Sequence, residues 1–148
     1  MRDSGVLPLD RIRSGDFKWL EMREAFFDGF ERSLVAYIQA GNSLIVEYIM
    51  ETPEWMRRMV RLLQGYDVFF VGVRCSLAEL ERRELARGDR PIGDARRDHH
   101  TIHEYCTYDA ELDGMLLPDV NAAKLISLWQ TRQRPSAFER MANAVEAS

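Results

Sequence analysis

The amino-acid sequence predicts an α/β domain with a parallel sheet and helices on both faces, a three-layer arrangement. Two short segments, 43–48 and 68–73, are rich in branched and apolar residues and have the composition of buried strands. A segment with helical spacing follows each of them, and strands that alternate with helices are typical of a parallel sheet. The 148 residues suffice for one domain and are too few for two of ordinary size.

The overall composition excludes several classes of protein. Hydrophobic residues make up 46% and charged residues 30% of the chain, a balance that excludes wholesale disorder. A net charge of −4 excludes a strongly basic nucleic-acid binder. Two cysteines cannot form a disulfide framework, and the apolar runs fall far short of the roughly 18 residues of a membrane span. We therefore expect a cytoplasmic protein with neither a nucleic-acid nor a membrane partner.

The first half of the chain starts with a polar lead-in over residues 1–16. Apolar residues at helical spacing then predict a long amphipathic helix over 17–40, which the sequence Ala40-Gly41-Asn42 ends. The first predicted strand, 43–48, follows directly. The next helix begins at Thr52 and Pro53, an N-cap residue and a first-turn proline.

The second half opens with the second predicted strand, 68–73, which is apolar on both faces. A capping box over 76–79 begins the next helix. The remaining predicted elements are a polar helix over 94–105, a short strand over 110–113, a helix over 118–132 and a weak helix in the tail 133–148, capped by Ser136 and Glu139. The predicted domain thus spans residues 17–132.

The carboxyl ends of the predicted strands are the expected place for a ligand, because parallel sheets bind ligands beyond that edge. This rule brings Glu47, Tyr48, Arg74 and Cys75 near any site. A carboxylate at the position of Glu47 can hold a metal-bound water or a substrate hydroxyl. The alternative is a strand-end acid that reaches solvent or pairs with an arginine such as Arg74.

Three arginines form a candidate phosphate site. Arg83 and Arg87 lie four residues apart on one predicted helical face, and Arg90 follows a glycine turn. Guanidinium groups bind phosphate oxygens through two parallel hydrogen bonds, so a convergent set suits a polyphosphate. The alternative is a solvated helix face with ion pairs along the helix, for which Glu79 and Arg83 have the right spacing.

A histidine-rich segment raises the question of zinc. His99 and His103 are four residues apart, as metal-binding histidines on a helix often are, and His100 and Cys106 lie nearby. The sequence has no C-x-x-C pair and no clear fourth ligand. A polar helix with solvated histidines is the alternative, and we assign no metal ligands.

The segment 67–113 carries a recognisable series of motifs. It contains V-G-V-R-C at 71–75, A-R-G-D-R at 86–90 and H-E-x-x-x-Y-D at 103–109. This series closely resembles the chloramphenicol phosphotransferase family, and the likeness extends upstream to residue 17. The resemblance implies a P-loop kinase-like fold that transfers the γ-phosphate of ATP, with Mg²⁺, to a hydroxyl of a small antibiotic molecule.

The resemblance also suggests roles for individual residues. Arg83, Arg87 and Arg90 match the lid-like stretch that closes over the phosphates. Glu47 falls where the family has an acid at a strand end, and we take it as the catalytic candidate. The later motif of the family contributes a further group whose role, in substrate binding or in structure, the resemblance leaves open: His103, Tyr108 and Asp109.

The sequence departs from this family at the phosphate-binding loop. No G-x-x-x-x-G-K-[ST] motif occurs, and the two lysines, Lys18 and Lys124, lack its glycines and its Ser or Thr. We therefore expect a P-loop kinase-like domain truncated at its N-terminus and inactive alone. The alternative is a non-catalytic remnant or an interaction module. Without the central strand of the family, residues 43–48 and 68–73 would expose unpaired edges, so we also expect self-association.

Overall fold

A computed structural model of the chain describes residues 19–88 and 92–146. The chain divides into two compact units, residues 1–45 and 46–148. The described residues form six helices and two strands. The predicted lead-in, Lys18 and Arg90 lie outside the described residues.

The described part of the first unit is dominated by helix α1, Trp19–Gln39, which confirms the predicted long helix. A positive φ of 89° at Gly41 ends the helix, a conformation that glycine adopts without steric cost. The Gly41 amide donates to the Ile38 carbonyl at 2.9 Å, and the Asn42 side chain donates to the Tyr37 carbonyl at 2.9 Å. These bonds satisfy carbonyls at the helix end that have no partner within the helix.

The predicted strand over residues 43–48 is wrong. The backbone there belongs to no sheet, and Ile45 is fully exposed. An apolar, branched segment becomes a strand only when a neighbouring backbone pairs with it. Among the described residues, no backbone does so. Composition alone therefore misidentified this segment.

Helix α2, Pro53–Leu62, starts as predicted. The Thr52 hydroxyl accepts a hydrogen bond from the Trp55 amide at 3.2 Å, and Pro53 occupies the first turn. The apolar face of the helix is buried and supplies much of the core of the second unit: Trp55, Met56, Met59 and Val60.

The sheet of the described residues consists of two parallel strands, β1 (Val71–Arg74) and β2 (Ala110–Asp113). Their register pairs Val71 with Ala110 and Arg74 with Asp113. The second predicted strand is thus confirmed, but it begins three residues later than residue 68. The Phe70 amide bonds at 2.8 Å to the Asp109 carboxylate instead of to a ladder carbonyl, so regular pairing starts only at residue 71.

Helices α3 (Leu77–Arg87) and α4 (Asp94–Thr101) lie between the two strands in sequence and pack against each other. Ser76 caps α3 as the capping box predicts, accepting from the Glu79 amide at 3.4 Å. The Glu84 carboxylate accepts hydrogen bonds from the Gly93 and Ala95 amides at the start of α4. This carboxylate therefore joins the two helices.

Two helices complete the second unit. Helix α5, Pro118–Gln130, packs against β2, and helix α6, Ala137–Glu146, packs against α2. Ser136 and Glu139 cap α6 reciprocally, which confirms the predicted helix of the tail. The inner face of α6 is buried: Ala137, Phe138 and Ala142.

The architecture confirms a mixed α/β class with parallel strands. In the part of the chain that the structure describes, none of the helices combines the length and the apolar character that crossing a membrane requires.

Candidate functional site

At the carboxyl edge of the sheet, the loops that follow β1 and β2 are in close contact. The Gly114 amide, directly after β2, donates to the Arg74 carbonyl at the end of β1 at 2.6 Å. A Cβ atom on Gly114 would lie 3.0 Å from that carbonyl oxygen, so glycine permits the close approach. Ser76 and Cys75 follow β1 here, and the Cys75 thiol contacts the Met115 sulfur at 3.5 Å.

Arg83 reaches this edge from helix α3. Its Nη2 donates to the Gly114 carbonyl at 2.9 Å, and its Nε donates to the Glu79 carboxylate at 2.7 Å. The side chain remains 48% exposed. Hydrogen bonds from Arg82 and Arg83 lower the pKa of Glu79 to about 2. The Glu79–Arg83 pair expected from the spacing is therefore present, and it aims the guanidinium group at the carboxyl edge.

The other two arginines of the predicted phosphate site are Arg87, which the structure describes, and Arg90. Arg87 is exposed in the last turn of α3, one turn beyond Arg83. Gly88 ends that helix with a φ of 64°. Arg90 lies outside the described residues. Of the predicted trio, the described contacts bring only Arg83 to the strand ends, and the convergence of all three stays a prediction.

Glu47 does not end a strand, because residues 43–48 form none. The residue is exposed in an irregular segment that precedes α2. Its suggested ion-pair partner, Arg74, bonds to Glu111 instead, at 2.8 Å from Nε and 2.7 Å from Nη2. The strand-end geometry expected for Glu47 is thus corrected, and its catalytic role stays a prediction.

The Arg74–Glu111 pair at the carboxyl edge cannot be predicted from the sequence. Arg74 was expected near the site, but its partner depends on the register that pairs Gly72 with Glu111. The sequence does not show this register, because it depends on how the two strands pair. The hydrogen bond from Arg74 lowers the pKa of Glu111, and both side chains remain about half exposed.

His103 and Tyr108, which precede β2 in the chain, form a hydrogen-bonded pair. His103 Nδ1 and the Tyr108 hydroxyl are 2.6 Å apart, and the Tyr108 ring packs against Gly72 of β1. The Arg74 guanidinium carbon lies 6.0 Å from the centre of that ring. Burial raises the pKa of Tyr108 and lowers the pKa of His103. Burial therefore favours the neutral form of both groups.

Asp109 lies at the opposite edge of the sheet, the amino edge, and holds three elements together there. Its carboxylate accepts hydrogen bonds from the Phe70 amide at 2.8 Å and the Ala137 amide at 2.6 Å. The side chain is only 8% exposed. One carboxylate thus joins the start of β1, the start of β2 and the first turn of α6.

The histidine-rich segment does not assemble a metal site within the described residues. His99 and His100 contact each other edge to face at 5.1 Å, whereas His103 bonds to Tyr108. The Cys106 thiol contacts the Ile102 carbonyl at 3.5 Å. No group of three His, Cys, Asp or Glu side chains in residues 19–88 and 92–146 has the arrangement of a metal centre.

Two parallel strands with Arg83 held at their carboxyl edge define this protein as a mixed α/β protein. Residues 5–130 match the family described as chloramphenicol phosphotransferase-like protein. The chain belongs to this family, which confirms the resemblance read from its motifs.

Two curated proteins of Mycobacterium tuberculosis are similar to this chain, one from strain CDC 1551 / Oshkosh and one from strain ATCC 25618 / H37Rv. Each carries the name "Putative O-phosphotransferase". Each is 32% identical over an alignment of 154 positions, which covers 91% of this chain and 68% of the relative.

Proposed function

We propose that this chain carries the phosphate-contacting lid of an ATP-dependent small-molecule O-phosphotransferase. The observation that carries the proposal is Arg83, whose guanidinium group is anchored to Gly114 at the carboxyl edge and remains about half exposed. Family membership and the names of the two relatives support the same reaction class. The fold we propose is P-loop kinase-like, with a larger three-layer sheet than the two described strands.

In the proposed reaction, a substrate hydroxyl oxygen forms a bond to the γ-phosphorus of ATP while the bond to the β,γ-bridging oxygen breaks. ADP leaves and the hydroxyl proton passes to a carboxylate, for which Glu47 is the candidate. Arg83, Arg87 and Arg90 stabilise the phosphate oxygens through charge-assisted hydrogen bonds. Mg²⁺ is expected to arrive with ATP, because kinases hold it mainly through the phosphates and one or two carboxylates. The acceptor we propose is a chloramphenicol-type antibiotic.

We expect no ATP turnover by the 148-residue chain alone. Its sequence has no G-x-x-x-x-G-K-[ST] motif, so the backbone amides and the lysine that stabilise the leaving phosphates are missing from it. Radiolabelled ATP, Mg²⁺ and chloramphenicol incubated with the chain should give no phosphorylated product above a boiled control. Product formation would contradict the inactivity, while the reaction class would stand.

Binding of Mg–ATP tests the lid directly. By calorimetry at low ionic strength we expect weak binding that Arg83→Gln weakens about ten-fold, since the variant loses a charge-assisted contact. Arg61→Gln is the matched control, because Arg61 is an exposed arginine on α2, with its ion-pair partner Glu54 on the same helix. Equal affinities for the two variants would contradict the lid assignment and favour the alternative, a non-catalytic interaction module.

We also propose that the chain associates with itself. Within the described residues, β1 pairs with β2 alone, and α5 leaves Ile126 and Trp129 about half exposed. Unpaired strand edges and exposed apolar faces promote association between copies. Sedimentation velocity should detect dimers or larger species. A monomer with a cooperative thermal transition would contradict this proposal.

A further inference from the structure

A cleft of about 230 Å³ opens at the amino edge of the sheet, on the opposite side from Arg83 and Gly114. Its apolar lining includes Phe69, which precedes β1, and Leu128 of α5. Two guanidinium groups, of Arg132 and Arg140, line the same cleft, together with the Asp109 carboxylate. An apolar surface beside cationic groups is the composition expected of a site for a small organic anion.

Arg132 is fixed in place before any ligand arrives. Its Nη1 donates to the Trp129 carbonyl at 2.8 Å, and its Nη2 donates to the Asp67 carboxylate at 2.9 Å. Its guanidinium carbon lies 4.4 Å from the centre of the Trp129 ring. The side chain is only 27% exposed. An immobilised guanidinium loses little conformational entropy on binding, so it is preorganised for an anion.

Arg140 retains unused hydrogen-bonding capacity. A guanidinium group has five N–H donors, and Arg140 Nη1 donates to the Pro135 carbonyl at 2.6 Å. Its Nη2 forms a long ion pair with the Asp109 carboxylate at 3.8 Å, which is beyond hydrogen-bond distance. The side chain is 45% exposed, so the remaining donors are accessible.

The neighbouring carboxylates are occupied by other partners. Asp109 accepts hydrogen bonds from the Phe70 and Ala137 amides. Asp67 pairs with Arg132 and Arg134, and Glu139 pairs with Arg134 and the Ser136 amide. Arg140 is thus the cation of this cleft that lacks a carboxylate at hydrogen-bond distance.

We propose that this cleft binds a small organic anion, with its carboxylate or phosphate group on Arg140 and Arg132 and a short apolar body against Phe69 and Leu128. The site is separate from the proposed phosphotransfer lid, because it lies at the other edge of the sheet. Its volume suits a single ring or a short aliphatic chain.

The test uses the full chain and three probes of one size: benzoate, phenyl phosphate and the neutral benzyl alcohol. Amide chemical shifts in an isotope-labelled sample report where each probe binds. We expect dissociation constants of about 1 mM for at least one anion, shifts centred on residues 69, 128 and 140, and no comparable binding of benzyl alcohol. The two anions distinguish a carboxylate ligand from a phosphate ligand.

Arg140→Gln is the informative variant, since Asp109 keeps both of its backbone donors. We expect it to weaken the anion about ten-fold, while the exposed Arg57→Gln on α2 leaves the affinity unchanged. Thermal unfolding of both variants checks that each is folded, and Arg140→Lys, which retains the charge, should bind with intermediate affinity. Equal binding of benzyl alcohol, no binding of either anion, or equal affinities for the two Gln variants would overturn the proposal.

Discussion

Charged side chains play different roles at the two edges of the β1–β2 sheet. At the amino edge, the largely buried Asp109 accepts hydrogen bonds from two backbone amides. At the carboxyl edge, Arg74 and Glu111 form an ion pair of which about half is exposed. Buried polar groups are costly to leave unpaired, whereas exposed ion pairs contribute little and exchange partners easily. Asp109 therefore contributes stability at the amino edge, whereas Arg74 and Glu111 at the carboxyl edge can exchange their pairing for a ligand.

The largest expected effect comes from Asp109. Asp109→Ala leaves the Phe70 and Ala137 amides without their acceptor, and we expect a loss of about 2–4 kcal/mol in the free energy of unfolding. Asp113→Ala is the matched control at the other end of β2, where the exposed carboxylate accepts from the Met115 amide. Urea denaturation should show a loss of about 0.5 kcal/mol in the free energy of unfolding for this variant. Similar losses for the two variants would remove the difference between the edges.

A second strong effect is expected at Gly72, midway between the edges. A Cβ atom there would lie 2.7 Å from the Tyr108 ring, so Gly72→Ala forces the ring or the strand to shift. Overpacking of this kind costs about 1–3 kcal/mol. Gly29→Ala on α1 is the control, because its added Cβ meets no atom within 4 Å and helix propensity favours alanine by up to about 1 kcal/mol. Thermal unfolding of both variants should give shifts of opposite sign.

The helices of this protein follow from local signals that the sequence contains. Thr52 with Pro53, Ser76 with Glu79, and Ser136 with Glu139 mark three helix starts, and all three form the predicted caps. Such caps involve residues within one turn of each other, so a linear sequence is sufficient to identify them.

The strands and the site depend on contacts between distant residues. Residues 43–48 have strand composition but lack a pairing partner in the described chain, and β1 starts late because of a carboxylate 39 residues away. The family motif singled out Asp109 and Tyr108 without indicating that Asp109 ties the sheet to α6. The sequence signal for this structural role is an acidic residue directly before a predicted strand.

A moderate effect is expected from the pH dependence of His103. Burial lowers the pKa of His103 below its usual value of 6.5, so the unfolded chain binds the proton more readily than the folded chain. Stability should therefore fall as the pH falls from about 7 through 6.5 towards the lower folded value. His103→Gln should show a shallower decline in thermal stability over this range, while His100→Gln, on an exposed side chain, should keep the wild-type slope. An identical slope for wild type and His103→Gln would contradict the burial of a neutral imidazole.

The smallest expected effect concerns Glu111 at the carboxyl edge. Glu111→Gln removes the partner of Arg74, and because the pair is about half exposed we expect no change in thermal stability beyond experimental error. Under the proposed function, however, the loss of the negative charge of Glu111 makes the carboxyl edge, which Arg83 also reaches, more positive. Mg–ATP should then bind about two-fold more tightly to Glu111→Gln and more weakly to Arg74→Gln, and both differences should shrink between about 50 mM and about 500 mM salt. Calorimetry across that range measures them. A large loss of stability in Glu111→Gln, with unchanged Mg–ATP binding, would instead assign Arg74 and Glu111 to the structural framework and leave Arg83 as the described arginine of the site.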